Sequence, residues 1–280
     1  MTLEKLGLGT VQFGQAYGIS NQRGQVLAEE AAAILLRASQ AGIRLLDTAA
    51  NYGEAENILA KLDTAHFRIV SKTIGLKNGL EALLARARQS AAALGADTLL
   101  VHAASDLKGA EGQALWMALQ QLRAEGVFRR IGISAYVAEN PVRLAEQFQP
   151  DVMQLPFSLL DQRLLADGTL ARLAGLGVEI HARSLFLQGL LFLIDIPPKL
   201  NAAAPHLAQV RNRLQEAGTT PLAAALGFVL ARSEIAYGLV GVTSLQELTD
   251  IIDATQTPLP DLDWASFALN DEVALTPSLW

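Results

Sequence analysis

Gly42-Ile43-Arg44-Leu45-Leu46-Asp47-Thr48-Ala49-Ala50-Asn51-Tyr52-Gly53-Glu54 opens on a glycine, crosses a short apolar run interrupted by Arg44, and stops at a carboxylate. A tyrosine follows five residues later, then a glycine, then an acidic residue suited to a helix start. The pattern reads as a strand, a loop carrying polar side chains, and a helix. The same grammar recurs along the chain. Apolar runs end in polar groups at Thr10, Lys72, His102, Ser134 and Arg183, and one run carries Gln154.

Strands are expected over Leu6–Thr10, Ile43–Asp47, Phe67–Val70, Thr98–Val101, Arg130–Ile133, Val152–Leu155, Val178–Ala182 and Ala236–Val240. Helical patterns separate them at Ala28–Gln40, Glu54–Lys61, Leu80–Leu94, Gln113–Glu125, Pro141–Phe148, Leu164–Ala174 and Leu245–Ala254. Gly42 is placed to close the first of these and Pro141 to open the fifth. A longer insertion precedes the last strand. It carries Pro197-Pro198 and two helical patterns, Leu207–Glu216 and Pro221–Ala231. The tail from Pro258 reads as loop with a short helix near Trp264–Leu269.

Strands alternating with helices imply a parallel sheet covered by helices. Eight such units in 280 residues fit an α/β fold of the (β/α)8 TIM-barrel type, with a helical insertion before the last strand. An open doubly wound sheet is the rival, since strand order is not written in a sequence. No Ser/Gly or Pro tract divides the chain, so residues 1–280 are read as one domain.

Composition narrows the function. Half of the residues are hydrophobic (51%) and 18% are charged, which supports a large core and excludes a disordered chain. The formal charge is -6, against a nucleic-acid partner. The small cluster Arg123, Arg129 and Arg130 is expected at a solvated helix end and strand start. There is no cysteine, which removes disulfides, thiolate nucleophiles and Cys-based zinc sites. No His-x-x-x-His or His-x-His pair appears, and no metal is expected. His66 is read as a loop residue, His181 as a satisfied core group and His206 as lying at a helix start. The N-terminus lacks an apolar signal core. The most apolar run, Leu185–Ile194, falls well short of the about 20 residues a membrane helix requires. A cytoplasmic protein without a membrane partner is expected.

In a barrel of this kind the polar residues at the C-terminal strand ends share one mouth. Asp47 with Tyr52, Lys72, and His102 come from three successive strands and would be neighbours. Their chemistry is complementary. An ammonium beside a phenol favours the phenolate, and a carboxylate beside the ammonium keeps it charged and in place. An imidazole can hydrogen-bond a substrate oxygen. Together they could give a proton to a carbonyl oxygen that is becoming an alkoxide. Each residue alone has an ordinary reading as a strand-end polar group or a packing ring; the ordered set carries the argument.

Gly42 to Glu54 resembles the Gly-x-x-x-x-Asp-Thr-Ala-x-x-Tyr-Gly-x-Glu signature of the aldo-keto reductases. Ile69-Val70-Ser71-Lys72, Leu99-Leu100-Val101-His102, Gly132-Ile133-Ser134, Val152-Met153-Gln154 and Ser184-Leu185 with Gln188-Gly189-Leu190-Leu191 extend the resemblance in order. It runs from Leu6 to about Ala254. It implies a (β/α)8 barrel that reduces aldehydes or ketones, or oxidises alcohols, with NADP(H) or NAD(H). Tyr52 would be the proton donor, Asp47 and Lys72 would tune it, and His102 would position the carbonyl. Ser134 and Gln154 would hold the nicotinamide carboxamide. Ser184, Leu185, Gln188 and Gly189 would lie along the pyrophosphate, with Arg183, Gly241, Thr243 and Glu247 completing the cofactor site. Gly9 and Gln12 are expected to line the pocket. No Gly-x-Gly-x-x-Gly is present, so a Rossmann reading lacks its own motif.

Three departures qualify the resemblance. Ala135 follows Ser134 where an asparagine is usual. Arg183 stands where many members place an aromatic ring; its guanidinium could stack, or bind an anionic substrate group or a cofactor phosphate. Glu247 falls near where many NADPH users carry an arginine, and a carboxylate there would repel a 2′-phosphate; Thr243, Ser244 or Arg232 would have to compensate. Such changes also fit an alternative: a non-catalytic dinucleotide-binding barrel acting as a sensory or regulatory subunit. A third reading is an unrelated barrel lyase using Lys72 as a Schiff base. The substrate is expected to be a small carbonyl or sugar-like compound, since Gln154-Leu155-Pro156-Phe157 and Arg183 to Gly189 resemble members associated with carbohydrate metabolism. Oligomeric state is not legible.

Overall fold

A computed structural model describes residues 3–280. Eight parallel strands close into a barrel in chain order: β1 (Leu6–Gly9), β2 (Leu45–Asp47), β3 (Arg68–Lys72), β4 (Thr98–Val101), β5 (Arg130–Ser134), β6 (Val152–Pro156), β7 (Glu179–Arg183) and β8 (Ile235–Gly241). Closure is made by β1 against β8, with Leu6 beside Gly238 and Gly9 beside Gly241. An open sheet is thereby excluded, and the architecture is a (β/α)8 TIM barrel.

The interior follows from strand periodicity. Successive side chains alternate between the two faces of a strand. Leu45, Val70, Leu100, Val152 and Leu239 form one buried cluster inside the barrel. Their neighbours Leu46, Ile69, Leu99, Val101 and Met153 belong to a separate cluster beneath the helices. The barrel is filled to the point where β5 needs a glycine: a Cβ on Gly132 would collide with the Val152 carbonyl oxygen and the Leu100 side chain.

Two steps further along each strand the same inward face reaches the C-terminal mouth. Counting from the inner layer, Leu45 leads to Asp47, Val70 to Lys72, Leu100 to His102, Gly132 to Ser134, Val152 to Gln154 and Leu239 to Gly241. The alternation that packs the barrel therefore also aims the polar strand ends inward.

The helices Ala28–Gln40, Leu80–Leu94, Pro141–Phe148 and Leu245–Ala254 have the expected bounds. The helix expected over Leu164–Ala174 is instead two, Arg163–Ala166 and Thr169–Gly175. Gly168 adopts a left-handed conformation between them (φ 76°), and the Asp167 carboxylate accepts from the Thr169 N–H to start the second. The stretch after β1 contains a turn of helix over Val11–Gly14. The tail holds a 3-10 turn at Trp264–Phe267 and a further short helix, Glu272–Leu275, opened by Asp271.

Between β7 and β8 the insertion forms 3-10 turns over Leu187–Phe192 and Pro198–Ala203, then the helices Ala204–Glu216 and Pro221–Leu230. Ala223 to Leu230 are all buried, and Leu185, Leu187, Leu190 and Leu191 pack into the core. His206 hydrogen-bonds the Phe267 carbonyl (3.0 Å), tying the tail to the insertion. Arg123 pairs with Asp151 and Arg130 with Glu179, while Arg129 is exposed, so two of the three arginines of the basic cluster are spent on ion pairs. Among the described residues no helix is long and apolar enough to cross a membrane.

Candidate active site

Lys72 sits at the centre of the mouth, 1% exposed. An ammonium has three donors and no acceptor. Here all three are used: Asp47 Oδ2 at 2.6 Å, the Thr48 carbonyl oxygen at 2.9 Å and the Tyr52 hydroxyl at 3.3 Å. The Gln154 side-chain N–H donates to the other Asp47 oxygen (2.6 Å), so both carboxylate oxygens are held. Burial alone would lower the Lys72 pKa, but the Asp47 charge, Tyr52 and their hydrogen bonds outweigh it and the pKa is raised. Lys72 is therefore an ammonium at neutral pH. A Schiff-base lysine must lose that proton, so the lyase reading is disfavoured by the geometry.

Tyr52 is fixed by its loop. Its N–H donates to the Ala49 carbonyl oxygen, and the Ala50 N–H to that of Lys72. The loop then presses on the helical turn after β1. A Cβ on Gly14 would collide with the Tyr52 carbonyl oxygen, and Gly53 is left-handed (φ 52°) against Gly14. These two glycines permit a close backbone approach that other residues would block.

His102 stands edge-on to the Tyr52 ring, with centroids 5.8 Å apart. Its backbone N–H donates to the Thr73 hydroxyl (3.2 Å). Burial, reinforced by the Lys72 charge, lowers its pKa to about 4. The imidazole is neutral at physiological pH, with one ring N–H to donate.

Asp47, Tyr52, Lys72 and His102 open onto a cavity of about 670 Å³. Its lining also includes all ten strand-end and loop residues expected at a cofactor: Ser134, Gln154, Arg183, Ser184, Leu185, Gln188, Gly189, Gly241, Thr243 and Glu247. Gly9 and Gln12 line it too. The sequence thus identifies a set of residues that the fold brings together. Arg183 lies over the Tyr136 ring (4.3 Å from its guanidinium carbon) and donates to the Ala135 carbonyl oxygen at 3.3 Å. It is in no ion pair among the described residues, and its buried Nε has no partner. Arg232 lies elsewhere: it precedes β8 at the opposite end of the barrel, its carbonyl accepting from Lys5. It cannot compensate for Glu247.

The loop after β7 is backbone-driven. Ser184, Leu187, Gln188 and Gly189 all have positive φ. The Ser20 N–H and hydroxyl both donate to the Gln188 carbonyl oxygen (3.4 and 3.3 Å), joining this loop to the one after β1. Left-handed non-glycine residues store strain and concentrate where a fold serves a ligand. Sequence reading missed Tyr17, Gly18, Ser20, Asn21, Tyr136, Phe186 and Asp250, which all line the cavity. Only Gly18 carries a local signal; the others depend on which loops cross. Trp280 does not line the cavity, and its indole N–H donates to the Val273 carbonyl within the tail.

Residues 5–269 match the profile of the aldo/keto reductase family. Among solved structures, the aldo-keto reductase AKR11C1 from Bacillus halodurans, in its holo form, superposes with a TM-score of 0.74 at 20% identity, covering 96% of this chain and 94% of that one. PA4992 from Pseudomonas aeruginosa, assigned to the aldo-keto reductases, gives 0.64 at 22% identity, covering 89% and 88%. At these identities the structural likeness is one of fold. No curated protein sequence matches the chain. With the profile spanning nearly all of the barrel, the chain belongs to the aldo/keto reductase family of oxidoreductases.

Proposed function

We propose that this protein reduces a small aldehyde or ketone, or oxidises the corresponding alcohol, with a nicotinamide dinucleotide. The observation that carries the reading is the Asp47–Lys72–Tyr52 chain of hydrogen bonds beside a neutral His102, opening on one cavity.

The residues present fit a dinucleotide. The cavity is in the range of cofactor sites, about 300–1,000 Å³. It extends from the reacting end to the start of the helix Leu245–Ala254. Two of its lining groups, Gln12 Oε1 and Arg183 Nε, are buried without a partner. Ser134 and Gln154 line the same cavity. Ser134 and the free carbonyl oxygen of Gln154 would hold a carboxamide, one donating and one accepting. Ser184, Leu185, Gln188 and Gly189 would lie along the pyrophosphate, and Arg183 would supply positive charge there. Gly241, Thr243 and Glu247 would face the adenosine.

When bound, the nicotinamide supplies a hydride to the carbonyl carbon. The protein's work is at the oxygen. The neutral His102 donates a hydrogen bond that orients the carbonyl. Tyr52 gives its hydroxyl proton to the oxygen as the C–H bond forms, and the substrate leaves as an alcohol. Lys72 faces the phenolate left behind and stabilises it until a proton returns from solvent. Asp47 and Gln154 keep the ammonium in place. In the reverse direction the same groups take the alcohol proton.

A subunit that only bound the dinucleotide would not require a buried ammonium hydrogen-bonded to an accessible phenol, so the sensory alternative is less well supported. The test is dinucleotide-dependent turnover over a panel of aldehydes and sugars, with Tyr52→Phe as control. Wild-type turnover that collapses in the variant is the expected result. Carbonyl reduction at nearly full rate by Tyr52→Phe would sink the mechanism; tight dinucleotide binding without turnover would favour the sensory subunit.

A further inference from the structure

We infer that this chain selects NAD(H) over NADP(H), and that Glu247 is the residue that decides it. The inference rests on the dinucleotide reading above and goes beyond it by naming the cofactor.

The cavity ends at the first turn of the helix Leu245–Ala254, where Thr243, Glu247, Asp250 and Ile251 form its wall. A helix start normally offers free N–H groups to an anion. Here acceptors of the protein itself already occupy several of them. Glu247 accepts from the Thr243 N–H (2.6 Å) with one carboxylate oxygen and from the Thr243 hydroxyl (2.9 Å) with the other. Glu30, reaching across from the first helix, accepts from the Leu245 N–H (2.7 Å). The Ser244 hydroxyl accepts from the Glu247 N–H (3.2 Å).

Charge points the same way. Glu247, Asp250 and Glu30 place three carboxylates around this turn, two of them in the cavity wall. The cations that line the cavity among the described residues are Lys72 and Arg183. Lys72 is consumed by Asp47. Arg183 leans from β7 toward Tyr136 and Ala135 at the end of β5, away from β8 and its helix. A 2′-phosphate, carrying about -1.5 to -2 charges, would meet carboxylates and spent donors. A ribose 2′-hydroxyl would meet an acceptor instead. Each Glu247 oxygen keeps a lone pair beyond its existing bond and can accept from a ribose hydroxyl, the chemistry by which a carboxylate recognises the unphosphorylated cofactor in the unrelated Rossmann fold.

The measurement is the Kd of the purified full chain for NADH, NADPH, NAD+ and NADP+, by calorimetry and by quenching of tryptophan fluorescence. NADH is expected to bind at least about tenfold more tightly than NADPH, with the ratio narrowing as salt is raised. Glu247→Gln should narrow it further, and Glu247→Arg should bring NADPH level or ahead. Because Glu247 also caps the turn, Asp250→Asn serves as a second variant without that role; it should narrow the ratio by a smaller factor. NADPH binding as tightly as NADH to the wild type overturns the inference and leaves the proposed activity standing. An unchanged ratio in Glu247→Gln overturns the assignment to Glu247. If no dinucleotide binds, the proposed function fails and this inference with it.

Discussion

The two ends of the barrel carry the same four kinds of side chain. At the C-terminal mouth, Lys72 pairs with Asp47 and lies 4.9 Å from the Tyr52 ring centre, with His102 edge-on to that ring. At the floor, Arg68 pairs with Glu179 (2.7 Å) and lies 5.4 Å from the Tyr237 ring, with His181 edge-on at 5.2 Å. Only the mouth opens on the large cavity; Arg68, Glu179, His181 and Tyr237 are absent from its lining. The partners differ as well. Glu179 is bonded by Arg68, Arg130 and His181, and despite burial the bonds from His181 and Arg68 hold its carboxyl well below the usual range. Its charges are matched and structural. At the mouth, one ammonium is shared between a carboxylate and a phenol whose hydroxyl faces open space. Residue types therefore do not define a site; access and an unspent hydrogen-bonding group do.

The comparison can be broken most directly at its two tyrosines. Tyr52→Phe should lower kcat for carbonyl reduction by about 10²–10⁴ while dinucleotide Kd is unchanged. Tyr237→Phe should leave kcat within experimental error. Equal losses at both would mean the floor is coupled to the chemistry.

The two ion pairs give the next effect. Lys72→Met leaves Asp47 buried without its partner and should cost about 3–5 kcal/mol of stability, read from denaturant unfolding. Adding Asp47→Asn to it should recover much of that stability without restoring activity. Glu179→Gln at the floor takes the carboxylate from Arg130 and leaves Arg68 with Asp97 at 3.6 Å, both arginines being within reach of water, and should cost a smaller amount, about 1–3 kcal/mol, with kcat preserved.

The smallest effect concerns pH. With the His102 pKa lowered to about 4 from 6.5, kcat/KM should show no histidine inflection near pH 6.5. A depressed folded-state value also means stability is present above pH 6.5 and is lost as pH falls through about 4. His102→Gln should remove that share of the acid loss. A rate that titrates near 6.5 in the wild type would show that His102 is more hydrated than its packing indicates.

Much of the fold was legible because the strand ends are chemically marked. Asp47, Lys72, His102 and Ser134 each terminate an apolar run and Gln154 sits within another near its end, and a parallel barrel must gather such ends at one mouth. Helices with clear caps, such as Pro141–Phe148 under Asn140 and Leu245–Ala254 under Ser244, matched their sequence patterns. The break at Gly168 was hidden because Leu164 to Ala174 keeps an apolar period across it. His181 was anticipated as a satisfied core group; it is fully buried and bonded to Glu179, though its Nδ1 has no partner. The floor was not anticipated as a unit, because Arg68 and Glu179 begin their strands and Tyr237 lies near the start of β8, positions remote in the chain that meet only when the barrel closes.

The sequence alone determined the alternation of strand and helix, the inward face of each strand and the polar group at its end, because these follow from period and local propensity. Tertiary structure decided the rest. It closed the sheet, laid the loop after β1 across the one after β7, turned Arg183 toward Tyr136, and set Glu30 and Glu247 on the donors of one helix start. Those outcomes depend on distances between residues remote in the chain, which no local pattern encodes.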